Sequence, residues 1–174
     1  MEMTGYKKID PKNIDGNLIK LISDDWMLVT AGNKEKSNTM TANWGGMGYL
    51  WNRPVAFVFI RPERYTYEFV EKQENFTLTF FNEKFRNALN ICGTKSGRDC
   101  NKVAEASLTP CFTEKGTPSF EEASLVIECK KLYAGMLSED SFLNRHIFDT
   151  VYGQKGNIHK LYIAEITDVW LKHQ

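Results

Sequence analysis

Three stretches of this chain combine residue types at spacings that can do chemistry. Arg61-Pro-Glu-Arg-Tyr-Thr66 follows the apolar run Val55–Ile60 and precedes a helical pattern, so two guanidinium groups and a hydroxyl gather at a strand end. Arginine brings charge and a planar fork of donors, and a helix N-terminus brings N–H groups without intrahelical partners, so the arrangement suits a phosphate. The same residues also make a solvated turn in which Thr66 caps a helix. Upstream, Asn38-Thr-Met-Thr-Ala-Asn-Trp-Gly-Gly46 opens as an alternating strand and closes on two glycines that let another group approach the backbone. A planar ligand can lie along it; an ordinary barrel strand followed by a turn has the same pattern. Downstream, Gly93-Thr-Lys-Ser-Gly-Arg-Asp99 sets a lysine and an arginine among glycines, where they can reach a dinucleotide or form a capping glycine and a connector.

Spacing excludes several other chemistries. Gly93–Asp99 lacks G-x-x-x-x-G-K-[ST] and follows a helical pattern, and Gly45-Gly-Met-Gly48 lacks G-x-G-x-x-G. No G-x-S-x-G elbow is present, and the adjacent pairs Asp24/Asp25 and Glu121/Glu122 diverge in regular structure, so no catalytic acid, base or nucleophile is expected. His146, His159 and His173 are scattered, and Cys92, Cys100, Cys111 and Cys129 form no C-x-x-C, so no metal site is expected either. Those thiols are expected to be reduced, in a cytoplasmic protein. Cys92 closes an apolar helical stripe with Phe85, Ala88 and Leu89, which makes it a reactive thiol or a small core residue; His159 is expected to be structural. Lys+Arg and Asp+Glu both number 22, which argues against nucleic acid or an anionic membrane as partner. The run Val55–Ile60 is far too short to span a bilayer, and Met1–Asn17 has no apolar core of a secretory signal.

The elements that must position these residues are mainly strands. Runs rich in β-branched and aromatic residues cover Trp26–Ala31, Thr39–Trp44, Val55–Ile60, Phe76–Phe81, Leu125–Lys131 and Leu161–Leu171. Short helices are expected over Leu18–Ile22 after Asp15, Tyr67–Lys72 after Thr66, Phe85–Cys92 after Asn82, and Phe142–Val151 after Asp140 and Ser141. Loops are expected at Gly45–Pro54, Gly93–Asp99 and Lys115–Glu122. The helices are too few to cover both faces of a parallel sheet, so the fold class is α+β, mainly β, a barrel with short peripheral helices. With 174 residues and no Pro/Ser-rich linker or repeat, one domain over residues 1–174 is expected. The long last strand must be buried by the barrel or by a second subunit.

In this order and spacing the motifs resemble the flavin reductase-like family with its FMN-binding, Greek-key-like split barrel, and its flavoredoxin branch in particular. Asn38–Gly46 is similar to the family's N-x-M-T-x-x-W-G strand, and Val55–Thr66 to its strand and arginine-to-hydroxyl turn. Ser96–Lys102 is similar to its S-G-[RK]-D-x-[DN]-K segment, and Leu125–Lys130 and His159–Val169 to its two late strands. Two departures stand out: Asn43 replaces a commonly small residue, and Met136–Arg145 reads as polar and helical where the branch is shorter. The resemblance implies that Asn38, Met40, Thr41, Ala42, Asn43 and Trp44 line an isoalloxazine ring and that Arg61 and Thr66 hold the FMN phosphate. It adds Cys92, Gly93, Lys95, Ser96 and Arg98 to the cofactor site, with Lys95 and Arg98 also placed to attract a donor's phosphates. It implies an oxidoreductase that passes electrons from NAD(P)H through FMN to an acceptor, which can be a redox protein, and a homodimer. The alternative is a flavin-binding or electron-carrier protein without NAD(P)H turnover.

Overall fold

The computed structural model describes residues 3–153 and 156–173. Among the described residues ten strands run in chain order: β1 Tyr6–Ile9, β2 Met27–Gly32, β3 Ser37–Ala42, β4 Gly45–Leu50, β5 Arg53–Ile60, β6 Asn75–Phe80, β7 Pro110–Phe112, β8 Pro118–Phe120, β9 Leu125–Met136 and β10 Lys160–Lys172. Between them lie α1 Leu18–Lys20, α2 Tyr65–Lys72, α3 Arg86–Thr94, α4 Lys102–Glu105 and α5 Arg145–Val151. Strands β7 and β8 form a separate hairpin; the others make one antiparallel sheet in the order β3-β2-β6-β9-β10-β5-β4, with β1 added to β10.

That order forces a barrel. Strands β3 and β4 are the two ends of the path, yet only Asn43 and Trp44 separate Ala42 from Gly45. Three Cα steps reach at most about 11 Å. In a flat sheet the six interstrand gaps would set the ends about 29 Å apart. The sheet therefore curls until its edges meet, and the seam is bridged covalently by Asn43 and Trp44. This is the α+β, mainly β, split barrel expected from the sequence.

Alternation along the strands builds two cores. Met27, Val29 and Ala31 of β2 face the barrel interior with Ile60, Phe76, Leu78, Ile127 and Tyr162, while Leu28 faces outward onto Leu89, Cys92, Val126 and Trp170. The second cluster fixes α3 on the barrel through the stripe that periodicity picked out. β10 pairs with β9 along its length, with β5 at Lys160–Glu165 and with β1 at Val169–Lys172. Register shifts at Ile163/Ala164 and Ile166/Asp168 explain its imperfect alternation. The barrel alone accounts for the burial of this long strand, without a second subunit.

Several boundaries differ from expectation. Gly45–Pro54 is a hairpin, because Trp51 at φ 51° and Asn52 at φ 57° both take the left-handed conformation that a tight two-residue turn requires. The three glycines of Gly45–Leu50 and a Trp-Asn turn conceal that strand from any propensity argument. α2 starts at Tyr65 with Arg64 at its N-cap, so Thr66 is helical and not the cap. α1 is capped by Asn17 and runs on as one π turn over Leu21–Asp25. Phe85 lies in a 3-10 turn ahead of α3, and Lys115–Glu122 contains β8. The stretch Met136–Arg145 is not a continuous helix: Met136 ends β9, a 3-10 turn covers Glu139–Ser141, and α5 begins only after its cap Asn144. Among the described residues, no helix is long and apolar enough to cross a membrane.

Candidate functional site

The seam of the barrel opens into a groove made of two adjoining cavities that share Arg64. The first, about 180 Å³, has Met40, Thr41, Ala42, Asn43 and Trp44 along one side, with Phe59, Arg61 and His159 completing its lining. The second, about 110 Å³, lies between the entry to α2 (Glu63, Tyr65, Thr66) and the end of α3 with the residues after it (Thr94, Lys95, Ser96), with Lys102 also lining it.

Cation placement distinguishes the two ends. Arg64 is half-buried, Nη2 donates to the Gly93 carbonyl at 3.0 Å, and burial holds its guanidinium below the usual arginine range. Lys102 is 3% exposed, and Nζ donates to the carbonyls of Cys92 at 3.1 Å and Lys95 at 3.2 Å. Burial pulls its ammonium down to about 8, and the neighbouring Arg64 charge acts in the same direction. Arg61 lies over the Tyr152 ring, 5.6 Å from its centre, and donates to the Val151 carbonyl at 3.4 Å. Among the described residues, no ion pair involves Arg61, Arg64 or Lys102. The N-terminus of α2 also has no side-chain cap. Arg64 and Lys102 thus meet the start of α2 at the second cavity without an ion-pair partner, although Glu63 also lines it and acts on Arg64, and Arg61 lines the adjoining first cavity; this excess of cations favours an anion.

The Gly93–Asp99 loop, read from sequence either as a dinucleotide contact or as a connector, is clamped to its neighbours. Asn38 is buried; its Nδ2 donates to Thr66 Oγ1 at 2.7 Å, and its Oδ1 lies where a Cβ on Gly97 would stand only 2.0 Å away. Arg64 reaches from the start of α2 to Gly93, and Arg98 reaches back, donating to the Glu63 carbonyl at 3.1 Å and pairing with Glu68 at 2.5 Å. Lys95 pairs with Glu105. The charges of Lys95 and Arg98, expected to be free for a donor, are therefore already met by carboxylates. Thr41 Oγ1 donates to the Leu89 carbonyl at 2.5 Å, and Gly93 leaves only 3.2 Å for a Cβ against Thr41, so α3 is locked on β3.

Of the residues singled out by sequence, Met40, Thr41, Ala42, Asn43, Trp44 and Arg61 meet in the first cavity, and Thr66, Lys95 and Ser96 in the second. Asn38 and Gly93 stand behind the walls as supports. Cys92 is fully buried, and burial pushes its thiol up to about 11, so it is a core residue that offers its carbonyl to Lys102. Sequence reasoning placed Arg64 in the phosphate-friendly turn but not among the cofactor residues, read His159 as structural and Lys102 only as the end of a motif, and did not single out Phe59. His159 is not merely structural: it lines the first cavity, 5.3 Å from the Trp44 ring, with Nδ1 bonded to the Tyr152 hydroxyl at 2.8 Å. Burial and the Arg61 charge lower it to about 4, so the imidazole is neutral at pH 7. Among the described residues, no cluster of three or more His, Cys, Asp or Glu could hold a metal ion.

Similar structures carry the same fold. The flavoredoxin from Methanosarcina acetivorans aligns with a TM-score of 0.66 at 21% identity, over 86% of this chain and 69% of that one. The flavoredoxin of Desulfovibrio vulgaris (Miyazaki F) gives 0.66 at 23% identity, over 85% and 69%. An FMN-binding domain of a flavin reductases-like enzyme from Shewanella baltica OS155 gives 0.68 at 18% identity, over 96% and 77%. The family model of the flavin reductase like domain matches residues 20–174, and the chain therefore belongs to the flavin reductase-like family.

Proposed function

We propose that this chain binds FMN in the groove and acts as an oxidoreductase of flavin reductase or flavoredoxin type. The observation that carries this reading is the meeting of Arg64, Lys102 and the uncapped start of α2 in the second cavity, which adjoins a first cavity lined by Met40–Trp44 and Arg61. A phosphate monoester carries about two negative charges near neutral pH, and such a donor set suits it. The ring end suits an isoalloxazine: Met40 and Ala42 are buried and apolar, the strand backbone offers donors and acceptors, and Trp44 and His159 supply flat walls. When bound, the flavin supplies the redox chemistry, which fits a site whose imidazole, His159, is held neutral by burial and the Arg61 charge. This chain's residues bind, orient and shield it: Arg64 and Lys102 anchor the anionic end, and the Tyr152 hydroxyl fixes the orientation of His159 beside the ring wall.

The test is an absorption spectrum of the purified protein, expected to show flavin bands at about one FMN per chain, with anaerobic bleaching by NADH or NADPH and recovery on adding an acceptor. A colourless protein that takes up no FMN overturns the reading. One observation favours the alternative of a carrier without nicotinamide turnover: Lys95 and Arg98 pair with Glu105 and Glu68, which offset part of the charge a dinucleotide would use. Bleaching by dithionite or a reduced redox protein, but by neither nicotinamide, selects that alternative. The chain is also proposed to be a homodimer, since Tyr133 and Met136 on β9 and Tyr49 and Trp51 on the β4–β5 hairpin leave large apolar side chains exposed. Sedimentation at micromolar concentration tests this, and a monomer with full flavin occupancy contradicts it.

A further inference from the structure

Trp44 lines a second cavity besides the groove. This one, about 390 Å³, lies between α1 with its π turn and the start of β4. Leu18, Ile19, Ile22 and Met47 give it an apolar lining, and Ser23 and Asn43 add small polar groups. Among the described residues that line it none is charged, in contrast to the cation-rich groove on the other side of the Asn43–Trp44 bridge. Two neighbouring cavities of such different character select different ligands.

Three features narrow the ligand's class. Ile19 is 80% exposed and Trp44 48%, so apolar surface is held in water at the mouth, where burial by a ligand gains free energy in proportion to the area covered. β4 is the end strand of the sheet and pairs only with β5, so its other edge presents backbone N–H and C=O groups beside the cavity. Gly45 lets β4 lie close against β5 here, since a Cβ there would stand 2.6 Å from the Phe57 carbonyl. A volume of 390 Å³ is within the usual range for small-molecule sites, and a lining without cations gives no counter-charge to a pyrophosphate.

We propose that this cavity binds a neutral, apolar carbonyl compound of the quinone class, its carbonyls taking hydrogen bonds from the β4 edge or Asn43. The inference rests on the flavin reading only for naming the neighbouring ligand.

The probe is 2,3-dimethyl-1,4-naphthoquinone, whose substituted ring carbons do not add thiols, titrated into the purified chain by calorimetry and tryptophan fluorescence, with and without saturating FMN. Saturable one-to-one binding that persists with FMN present is expected. Ile19→Glu alters an exposed side chain and sets a carboxylate at the mouth; it is expected to weaken quinone binding at least fivefold and leave FMN affinity unchanged. Leu18→Ala, which trims the lining without adding charge, is expected to weaken it at least twofold. Absence of saturable quinone binding in a chain that takes up FMN normally overturns the proposal and leaves the flavin reading standing. One-for-one competition between quinone and FMN also overturns it, because the cavity is then part of the flavin groove, and so does equal quinone affinity in Ile19→Glu. Quinone binding in a chain that takes up no FMN supports the cavity and overturns the flavin reading instead.

Discussion

Replacing Lys102 with Met separates binding from stability. The ammonium is 3% exposed, and its pKa falls from 10.5 to about 8. Each pKa unit is worth about 1.4 kcal/mol, so holding that charge in the fold costs about 3 kcal/mol at pH 7. Against this, removing the side chain leaves the Cys92 and Lys95 carbonyls that it serves without that donor, at about 1–1.5 kcal/mol each. The two effects nearly cancel. Lys102→Met is therefore expected to leave the flavin-free protein within about 1 kcal/mol of wild type, a shift of roughly 2–4 °C in Tm at this chain length. Binding does not cancel in this way, because a phosphate in the second cavity loses a charge-assisted partner worth about 1.5–3 kcal/mol, or roughly 10- to 150-fold in affinity. Calorimetric titration with FMN and riboflavin, alongside thermal unfolding, measures both quantities. FMN is expected to lose affinity while riboflavin is unaffected. Destabilisation by several kcal/mol with unchanged FMN affinity would refute the reasoning and make Lys102 a structural residue only.

The same lysine sets a pH dependence of two opposite signs. Its folded pKa lies below its unfolded value, so between about 8 and 10.5 the unfolded chain holds the proton that the fold has lost; this group's contribution to stability rises with pH there, while FMN affinity falls by up to tenfold per pH unit above about 8. Cys92, raised from 9.0 to about 11, opposes the stability trend above pH 9, so pH titrations of stability and affinity are read against Lys102→Met; a wild-type affinity that is flat from pH 7 to 9.5 contradicts the assignment. Gly97→Ala places a methyl 2.0 Å from Asn38 Oδ1, an atom that cannot withdraw without breaking the bond from Nδ2 to Thr66; a loss of about 1–3 kcal/mol in denaturant unfolding, with weaker FMN binding, is expected. Arg61→Ala is expected to weaken FMN binding by about 1.5–3 kcal/mol with the fold intact by circular dichroism, and unchanged affinity would assign the anion to Arg64 and Lys102 alone.

Much of the site was legible because its residues cluster locally. Met40–Trp44 and Arg61–Thr66 are continuous segments, each attached to a strand whose apolar, β-branched composition marks it, and both segments reach the groove. The core stripe of α3 was legible for the same reason, since Phe85, Ala88, Leu89 and Cys92 repeat at helical spacing. What was missed depends on contacts between distant segments. His159 reaches the cavity because β10 pairs with β5, and Lys102 becomes a wall residue only when α4 folds back beside α3. Thr66 looked like a helix cap because Ser, Thr and Asn favour that position, but its hydroxyl is held by Asn38, far upstream in sequence. Lys95 and Arg98 looked free because their carboxylate partners, Glu105 and Glu68, lie on other elements. β4 stayed hidden since glycines carry no strand signal, and barrel closure, not propensity, fixes that segment.

The central claim is that Arg64 and Lys102 with the start of α2, beside Arg61 in the adjoining cavity, form a site for the phosphate of a flavin mononucleotide. Parallel calorimetric titration of flavin-free protein with FMN and with riboflavin tests it most directly, since the two ligands share the ring and ribityl chain and differ only in the phosphate. The account predicts one FMN per chain and at least tenfold weaker binding of riboflavin, the factor that a single charge-assisted hydrogen bond of about 1.5 kcal/mol would give. Equal affinity for the two ligands, or no uptake of either, would contradict it.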